Sequence, residues 1–239
     1  MHLFYAPDIN NVQYVLNPED SRHCTKVLRL RGKDKISLTD GKGHFYHCTI
    51  TKADSKSTEV KIDEKEEVEK HWPFHLQIAI APTKNMNRTE WMLEKVTELG
   101  VDKITPLHCD HSERKIVKPA RMERIITAAV KQSLKAWYPG LEEMAGFSDF
   151  VKKDFSGQKY IAYIDEKYNL QLSEDYEPGS DVVILIGPEG DFSDDEVQMA
   201  IKHGFKPVSL GKSRLRTETA AVIACHSFHL LNDKKKSLK

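Results

Sequence analysis

Two short stretches concentrate the residues able to do chemistry. The first, "IGPEGDFSDDE" over 186–196, turns an apolar run into a glycine-rich loop that opens a helix, and it carries Glu189 and Asp191. Backbone amides at a helix start favour anions. Here Asp194, Asp195 and Glu196 occupy that start, so a phosphate would meet like charge at short range. The loop has neither the Lys-Ser/Thr ending of a P-loop nor the spacing of a dinucleotide fingerprint. It suits a ligand that is read by main-chain groups and tolerates or welcomes nearby negative charge. S-adenosylmethionine, with an adenine, a sulfonium and no phosphate, meets that description; a tight turn that merely closes a strand is the alternative.

The second stretch, "LGKSRLRTETA" over 210–220, supplies the opposite charge. Gly211 permits a turn, Lys212, Arg214 and Arg216 follow it, and Glu218 falls in the first turn of the next helix. An arginine here can hold an RNA phosphate or the charge that develops on a uracil carbonyl oxygen. Pairing of these cations with neighbouring carboxylates is the alternative. No metal is expected: the tempting "HCDH" at 108–111 lies on an extended segment, where successive side chains point to opposite faces. The four cysteines, Cys24, Cys48, Cys109 and Cys225, contain no CxxC pair and read as reduced structural thiols.

These loops need a scaffold, and the pattern from His75 onward predicts one. "HLQIAIAP", "DKITPLHC", "KYIAYID", "DVVILIGP" and "KPVSL" read as strands, and helices alternate with them. Asn87 with Glu90 predicts a helix start; Gly100 ends that helix, and another opens at Pro119. The last helix starts near Thr217 and aligns Ala221, Ala224, Phe228 and Leu231, with a tail from Asp233 expected to fray. Ser193 with Glu196 forms a capping box, and Phe192 with Val197 a hydrophobic staple, so the first loop leaves the sheet in a fixed direction. In an open parallel sheet ligands bind beyond the carboxyl ends of the strands, where both loops fall.

Residues 1–62 have a different texture. "HLFYA", "KISLTD", "HFYHCTI" and "TEVKI" predict the strands of a small β-barrel or sheet, with one helix capped by Asn17, opened by Pro18 and running to Leu30. A charge run, "DEKEEVEKHWP", reads as the linker, giving expected domains 1–72 and 73–239. Net charge is balanced, 36 Lys+Arg against 36 Asp+Glu. Locally, however, Arg22, Lys26, Arg29, Arg31, Lys33 and Lys35 face the single carboxylate Asp34, a density that suits a phosphate backbone or else a solvated face. No apolar run approaches the ~20 residues of a membrane helix, and the N-terminus lacks a signal peptide's features, so a cytoplasmic protein without membrane contact is expected.

"TELGV" at 97–101, "KQS" at 131–133, "IGPEG" at 186–190, "LGKSRLRTETA" at 210–220 and "HCTKVLRL" at 23–30 together resemble the bacterial 16S ribosomal RNA uridine-N3 methyltransferases of the SPOUT class. The likeness covers nearly the whole chain. It implies a PUA-like RNA-binding module at 1–72 and a SPOUT methyltransferase domain at 73–239, an α/β parallel sheet with a C-terminal trefoil knot. It also implies S-adenosylmethionine as cofactor, 16S rRNA in the small subunit as partner, and a homodimer. Carried over to this chain, cofactor contacts fall on Leu185, Ile186, Gly187, Glu189, Gly190, Leu210, Gly211, Leu215, Thr219 and Ala220. The catalytic expectation rests on Arg216, for the base or charge on its carbonyl oxygens, and on Glu218, a general-base candidate by location alone with a structural acceptor as the alternative. RNA contacts fall on the basic run from Arg22 to Lys33 and on Lys84, Arg88, Lys212 and Arg214. The chain departs from the usual pattern at Asp191, where a second glycine is common, and at His2 and Lys135, where arginine is frequent. A non-enzymatic RNA-binding protein, or a methyltransferase of the same class acting on transfer RNA, remains open.

Overall fold

The computed structural model describes residues 1–237 apart from Asn11, Glu166 and Asn169, with side chains described to Asp233. The chain forms two compact units: Met1–His71 with Thr127–Tyr138, and Trp72–Ile126 with Pro139–Lys239. Thr127–Tyr138, expected in the second domain, therefore groups with the first unit. Its aromatics account for this: Trp137 lies against Gly43, Tyr138 stacks on Tyr5 at 4.6 Å, and Lys131 pairs with Asp20 at 2.6 Å.

The first unit contains β1 (Leu3–Tyr5), β2 (Gln13–Val15), α1 (Pro18–Arg22), β3 (Lys35–Thr39), β4 (His44–Lys52) and β5 (Glu59–Glu67). They form a five-stranded sheet ordered β1-β3-β4-β5-β2, over a core that includes Phe4, Leu16, Leu38, Ile50 and Val60. Asn17 accepts from the Asp20 amide with Pro18 behind it, as the helix-start signal requires. The helix does not continue to Leu30. After Arg22 it widens into a π-turn over His23–Val27, where the Leu28 amide reaches back to the His23 carbonyl, and Arg29 then takes φ +58°. The wide turn keeps Cys24 inside the core, the kind of packing demand that lets a π-turn persist. β2 is short and half-exposed, so it gave little periodic signal. The first part of the expected linker is strand: β5 runs to Glu67 because it pairs with β4 along its length, and its charged end, Asp63–Glu67, is exposed.

The second unit follows the βα pattern. Its elements are β6 (Leu76–Ile80), α2 (Met86–Leu99), β7 (Lys103–His108), α3 (Pro119–Gln132, whose end belongs to the first unit), β8 (Gly140–Leu141), β9 (Ala145–Gly146) and α4 (Phe147–Val151). They continue with β10 (Gln158–Ala162), α5 (Leu172–Asp175), β11 (Val182–Ile186), α6 (Asp194–Lys202), β12 (Lys206–Val208) and α7 (Thr217–Ser237). The strands are parallel in the order β12-β10-β11-β6-β7-β8. Every residue of β6 and β11 is buried, which is why both read as unbroken apolar runs.

α2 starts two residues earlier than expected, because Asn85 rather than Asn87 is the cap and accepts from the Asn87 amide. It ends at Gly100, φ +111°, where a Cβ would lie 2.8 Å from the Trp72 ring; only glycine meets both demands. α7 packs along α2, and His229 Nε2 donates to the Gly100 carbonyl at 2.6 Å. Ala221, Ala224 and Phe228 are buried as expected, but Asn232 replaces Leu231 at the inner position. Its amide donates to the Phe228 carbonyl and Tyr176 hydroxyl and accepts from Gly179. α7 continues to Ser237, through most of the expected frayed tail; Leu238 and Lys239 lie outside the described residues. No helix among the described residues is long and apolar enough to cross a membrane.

Candidate active site

A cleft of about 690 Å³ opens past the carboxyl ends of β10, β11 and β12. Ala162 at the end of β10 and Tyr163 and Ile164 just after it line one wall; Ile186 at the end of β11 is followed by Gly187–Glu189 and Asp191 of the next loop; Val208 ends β12, and Leu210–Arg216 come from the loop after it. Thr217 and Ala220, three apart and so on one face of α7, complete it together with Arg88 of α2.

The loop after β11 is fastened on three sides. Glu189 Oε1 accepts from the Lys84 amide at 2.9 Å, while Arg114 donates to the Lys84 carbonyl at 2.7 Å. His111 Nδ1 lies 3.1 Å from the Gly190 oxygen and 3.0 Å from the Asp191 oxygen; both are carbonyls, so this nitrogen carries the proton. Ser193 and Glu196 form the reciprocal capping box, and each is also engaged by Asp110: Ser193 Oγ donates to its carboxylate at 2.7 Å, and its amide donates to Glu196 Oε1 at 3.0 Å. Phe192 and Val197 are buried in the same cluster as Leu185 and Phe147, as the staple requires. The "HCDH" segment is therefore an anchor for the loop. Burial pushes the Cys109 thiol well above its ordinary pKa, which removes it as a nucleophile.

Asp191 explains the departure from glycine at its position. Its φ is +63°, the left-handed region that glycine enters freely and that Asp enters more readily than most residues. Oδ1 accepts the Phe192 amide at 2.8 Å. Burial raises the Asp191 pKa, a shift opposed by that amide and by the charges of Arg214 and His111.

The loop after β12 has fewer ties. Ser209 bonds Gly211 through its hydroxyl, Gly211 takes φ +124° with open space where a Cβ would stand, and Lys212, Ser213, Arg214 and Arg216 are exposed. At its end the Arg216 carbonyl accepts the Ala220 amide, which starts α7.

Of the expected site residues, Ile186, Gly187, Glu189, Leu210, Gly211, Leu215, Arg216 and Ala220 converge on the cleft, and so do Arg88, Lys212 and Arg214. Leu185 does not: one residue before Ile186 in a strand, it points into the core. Gly190 backs onto His111, whose Cβ would stand 3.1 Å from an added Cβ, and so borders the anchor rather than the cleft. Glu218 is buried and Thr219 half-buried, both turned from the face that Thr217 and Ala220 present. Lys84 is exposed and holds Glu189 through its backbone. In the first unit Arg22, Lys26, Arg29, Arg31 and Lys33 are exposed, and none forms an ion pair among the described residues; Lys35 is drawn to Asp63 at 2.8 Å. Tyr163, Ile164 and Val208 were not anticipated, although their places at or just beyond strand ends were a usable signal. Asp110 and His111 had a signal too, a polar cluster after β7.

A parallel α/β sheet with a concave site beyond its strand ends defines a small-molecule-binding protein of the α/β class. A family model described as an RNA methyltransferase domain matches residues 70–229, and one described as an RNA methyltransferase PUA domain matches residues 16–63. Ribosomal RNA small subunit methyltransferase E of Mesomycoplasma hyopneumoniae is 32% identical over 93% of this chain and 96% of its own length. The protein of that name from Buchnera aphidicola is 29% identical over 91% and 87%. The crystal structure of a probable rRNA-methyltransferase from Porphyromonas gingivalis superposes with a TM-score of 0.91 at 44% identity, covering 98% of this chain and 100% of that one. The Neisseria gonorrhoeae ribosomal RNA small subunit methyltransferase E, solved bound to S-adenosyl methionine, superposes at 0.89 and 29% identity, covering 97% and 98%. The chain belongs to the RNA methyltransferase family whose domain model spans most of it.

Proposed function

We propose that this chain transfers the methyl group of S-adenosylmethionine to N3 of a uridine in 16S ribosomal RNA. The observation that carries the proposal is the cleft: two loops of opposite charge meet beyond the strand ends of a chain similar from end to end to ribosomal RNA small subunit methyltransferases. The residues present fit the cofactor. Ile186, Leu210, Leu215 and Ala220 offer apolar surface to an adenine, and Gly187 and Gly211 let backbone come close. Glu189 and Asp191 place negative charge where a sulfonium is favoured and a phosphate is not. When bound, the cofactor supplies an electrophilic methyl group on a cationic sulfur.

Arg216 orients the target uracil and stabilises charge on its carbonyl oxygens, and positioning supplies much of the rate. Lys212 and Arg214 meet RNA phosphates, as does the exposed run from Arg22 to Lys33, which resembles an electrostatic footprint. The trefoil knot, the homodimer and a cytoplasmic place beside the small subunit follow from the SPOUT resemblance; exposed Trp91, Ile223 and Leu230 supply apolar surface for a second copy.

The test is incubation with radiolabelled cofactor and small subunits from cells lacking the modification, followed by nucleoside analysis. Label in 3-methyluridine from 16S rRNA is expected. Label confined to transfer RNA would move the substrate, and absence of heat on titration with cofactor would leave only an RNA-binding protein.

A further inference from the structure

A buried carboxylate next to the cleft has no part in the scheme above. Glu218 sits in the first turn of α7, directly after the cleft residues Arg216 and Thr217, yet it does not reach the cleft. Its Oε1 lies 3.8 Å from Arg88 Nε, and its Oε2 is buried with no hydrogen-bond partner among the described residues. Arg88 does reach the cleft, and its side chain is 38% exposed. A carboxylate held this way is stabilised by the α7 N-terminus and by Arg88, and an unsatisfied buried oxygen calls for a reason. Any effect of Glu218 on a bound base must pass through Arg88.

We propose that Glu218 is a positioning residue that holds the Arg88 guanidinium in the cleft, where Arg88 binds a carbonyl oxygen of the target uracil and favours its N3-deprotonated form. This rests on the methyltransferase reading of the cleft. The N3 proton leaves to solvent water, and the negative charge spreads over N3 and the flanking carbonyl oxygens. The guanidinium N–H groups donate to one of those oxygens. A cation beside the anionic base lowers the pKa at N3, so a useful fraction is ionised near neutrality. The N3 lone pair then bonds to the methyl carbon as the carbon–sulfur bond breaks and its electron pair stays on sulfur. No carboxylate base is required, and Glu218, shielded from the cleft, is not one.

Single-turnover methyl transfer at saturating cofactor and RNA, followed against pH, tests this in the full-length protein. The wild-type rate should rise with pH and level off below the pKa of free uridine. Arg88→Ala and Glu218→Gln should each lower the neutral-pH rate by about 10²-fold, the usual cost of one lost oxyanion donor, and move the midpoint up toward that of free uridine. The double variant should be no slower than Arg88→Ala, since the two residues act as one unit. Cofactor affinity by calorimetry and melting temperature accompany each variant, and Arg88→Gln replaces Arg88→Ala if the latter melts early. An unmoved midpoint in the Arg88 variant overturns the proposal. So does a Glu218→Gln variant that is inactive while Arg88→Ala transfers at the wild-type rate, because Glu218 would then be the base. Wild-type protein that leaves ribosomal RNA unlabelled would instead remove the methyltransferase reading itself.

Discussion

After β11 the chain is tied to the rest of its unit through Glu189, Gly190, Asp191, Ser193 and Glu196, while after β12 the exposed stretch around Lys212–Arg214 is held chiefly through the Ser209–Gly211 turn. Both walls border one cleft. A wall fixed by a helix cap and several anchoring hydrogen bonds is ready before a ligand arrives, and it loses little freedom on binding. A lightly held wall can reshape around a ligand, and its cations can follow an RNA backbone. Substitutions in the first wall should therefore register as stability, and substitutions in the second as function without stability.

The largest effect should come from the second wall. Arg216→Ala is expected to lower single-turnover transfer by about 10²–10³-fold while the melting curve and cofactor affinity stay at wild-type values. Lysine should restore little, because a point charge does not replace a planar two-pronged donor. A drop in melting temperature with normal turnover per folded molecule would place Arg216 among the anchors and break the comparison. Next, Gly190→Val presses a branched side chain on His111. A cost of about 2 kcal/mol is expected, a fall of roughly 4–8 °C at about 2–4 °C per kcal/mol for a chain of this size.

Gly211→Val gives the mirror case. The left-handed geometry disfavours valine by about 1–3 kcal/mol, but nothing lies near the new side chain, so the loop relaxes instead of unfolding the unit. Cofactor affinity should fall about tenfold, equivalent to about 1.4 kcal/mol, with an unchanged melting temperature. Ser193→Ala removes one half of the capping box and should cost about 1 kcal/mol, read by urea titration, with cofactor affinity nearly intact. A larger loss of affinity than of stability would show that the first wall is not preformed.

The smallest effect separates burial from attraction at Asp191. Its folded pKa is raised, so the stability it contributes is complete below the ordinary carboxylate range and is lost as pH rises through the folded value. Asp191→Asn keeps a residue that tolerates positive φ and removes that charge. The variant should melt slightly higher than wild type at neutral pH, with the gap closing as pH falls into the carboxylate range. A variant that melts lower at neutral pH would mean that Arg214 and His111 outweigh burial.

Five strands of the parallel sheet were legible from apolar composition, β11 by five apolar residues in a row, and α6 by its capping box, whereas the two-residue β8 and β9 and the short α4 and α5 offer too few residues for a period and were not read. Features decided by tertiary packing were not. The π-turn after Arg22 exists to keep Cys24 in the core, β5 absorbs a charge run because β4 is there to pair with it, and Thr127–Tyr138 joins the first unit through aromatics that local periodicity does not weigh. Within the site, loop residues were found by charge and glycine placement, whereas Leu185 and Gly190 do not line the cleft: Leu185 alternates with Ile186 along the strand and faces the core, and Gly190 backs onto His111, a neighbour that no motif spacing gives. The anchors Asp110 and His111 lie far along the chain from the loop they hold, and no spacing rule connects them.

The pairing of β6 with β11, residue for residue from Leu76↔Val182 to Ile80↔Ile186, also sets a timetable. β6 is synthesised well before its central neighbour, and every wall of the cleft except Arg88 comes from Ala162 onward. A parallel strand waiting for so distant a partner closes a long loop before any reward, which makes it slow to form and exposes apolar edge in the meantime. The first unit's β3, β4 and β5, joined as antiparallel neighbours, can form early by local contacts. On a translating ribosome the small sheet thus has a head start, and the chain acquires a place for its ligand only once the residues through Ala220 have been made.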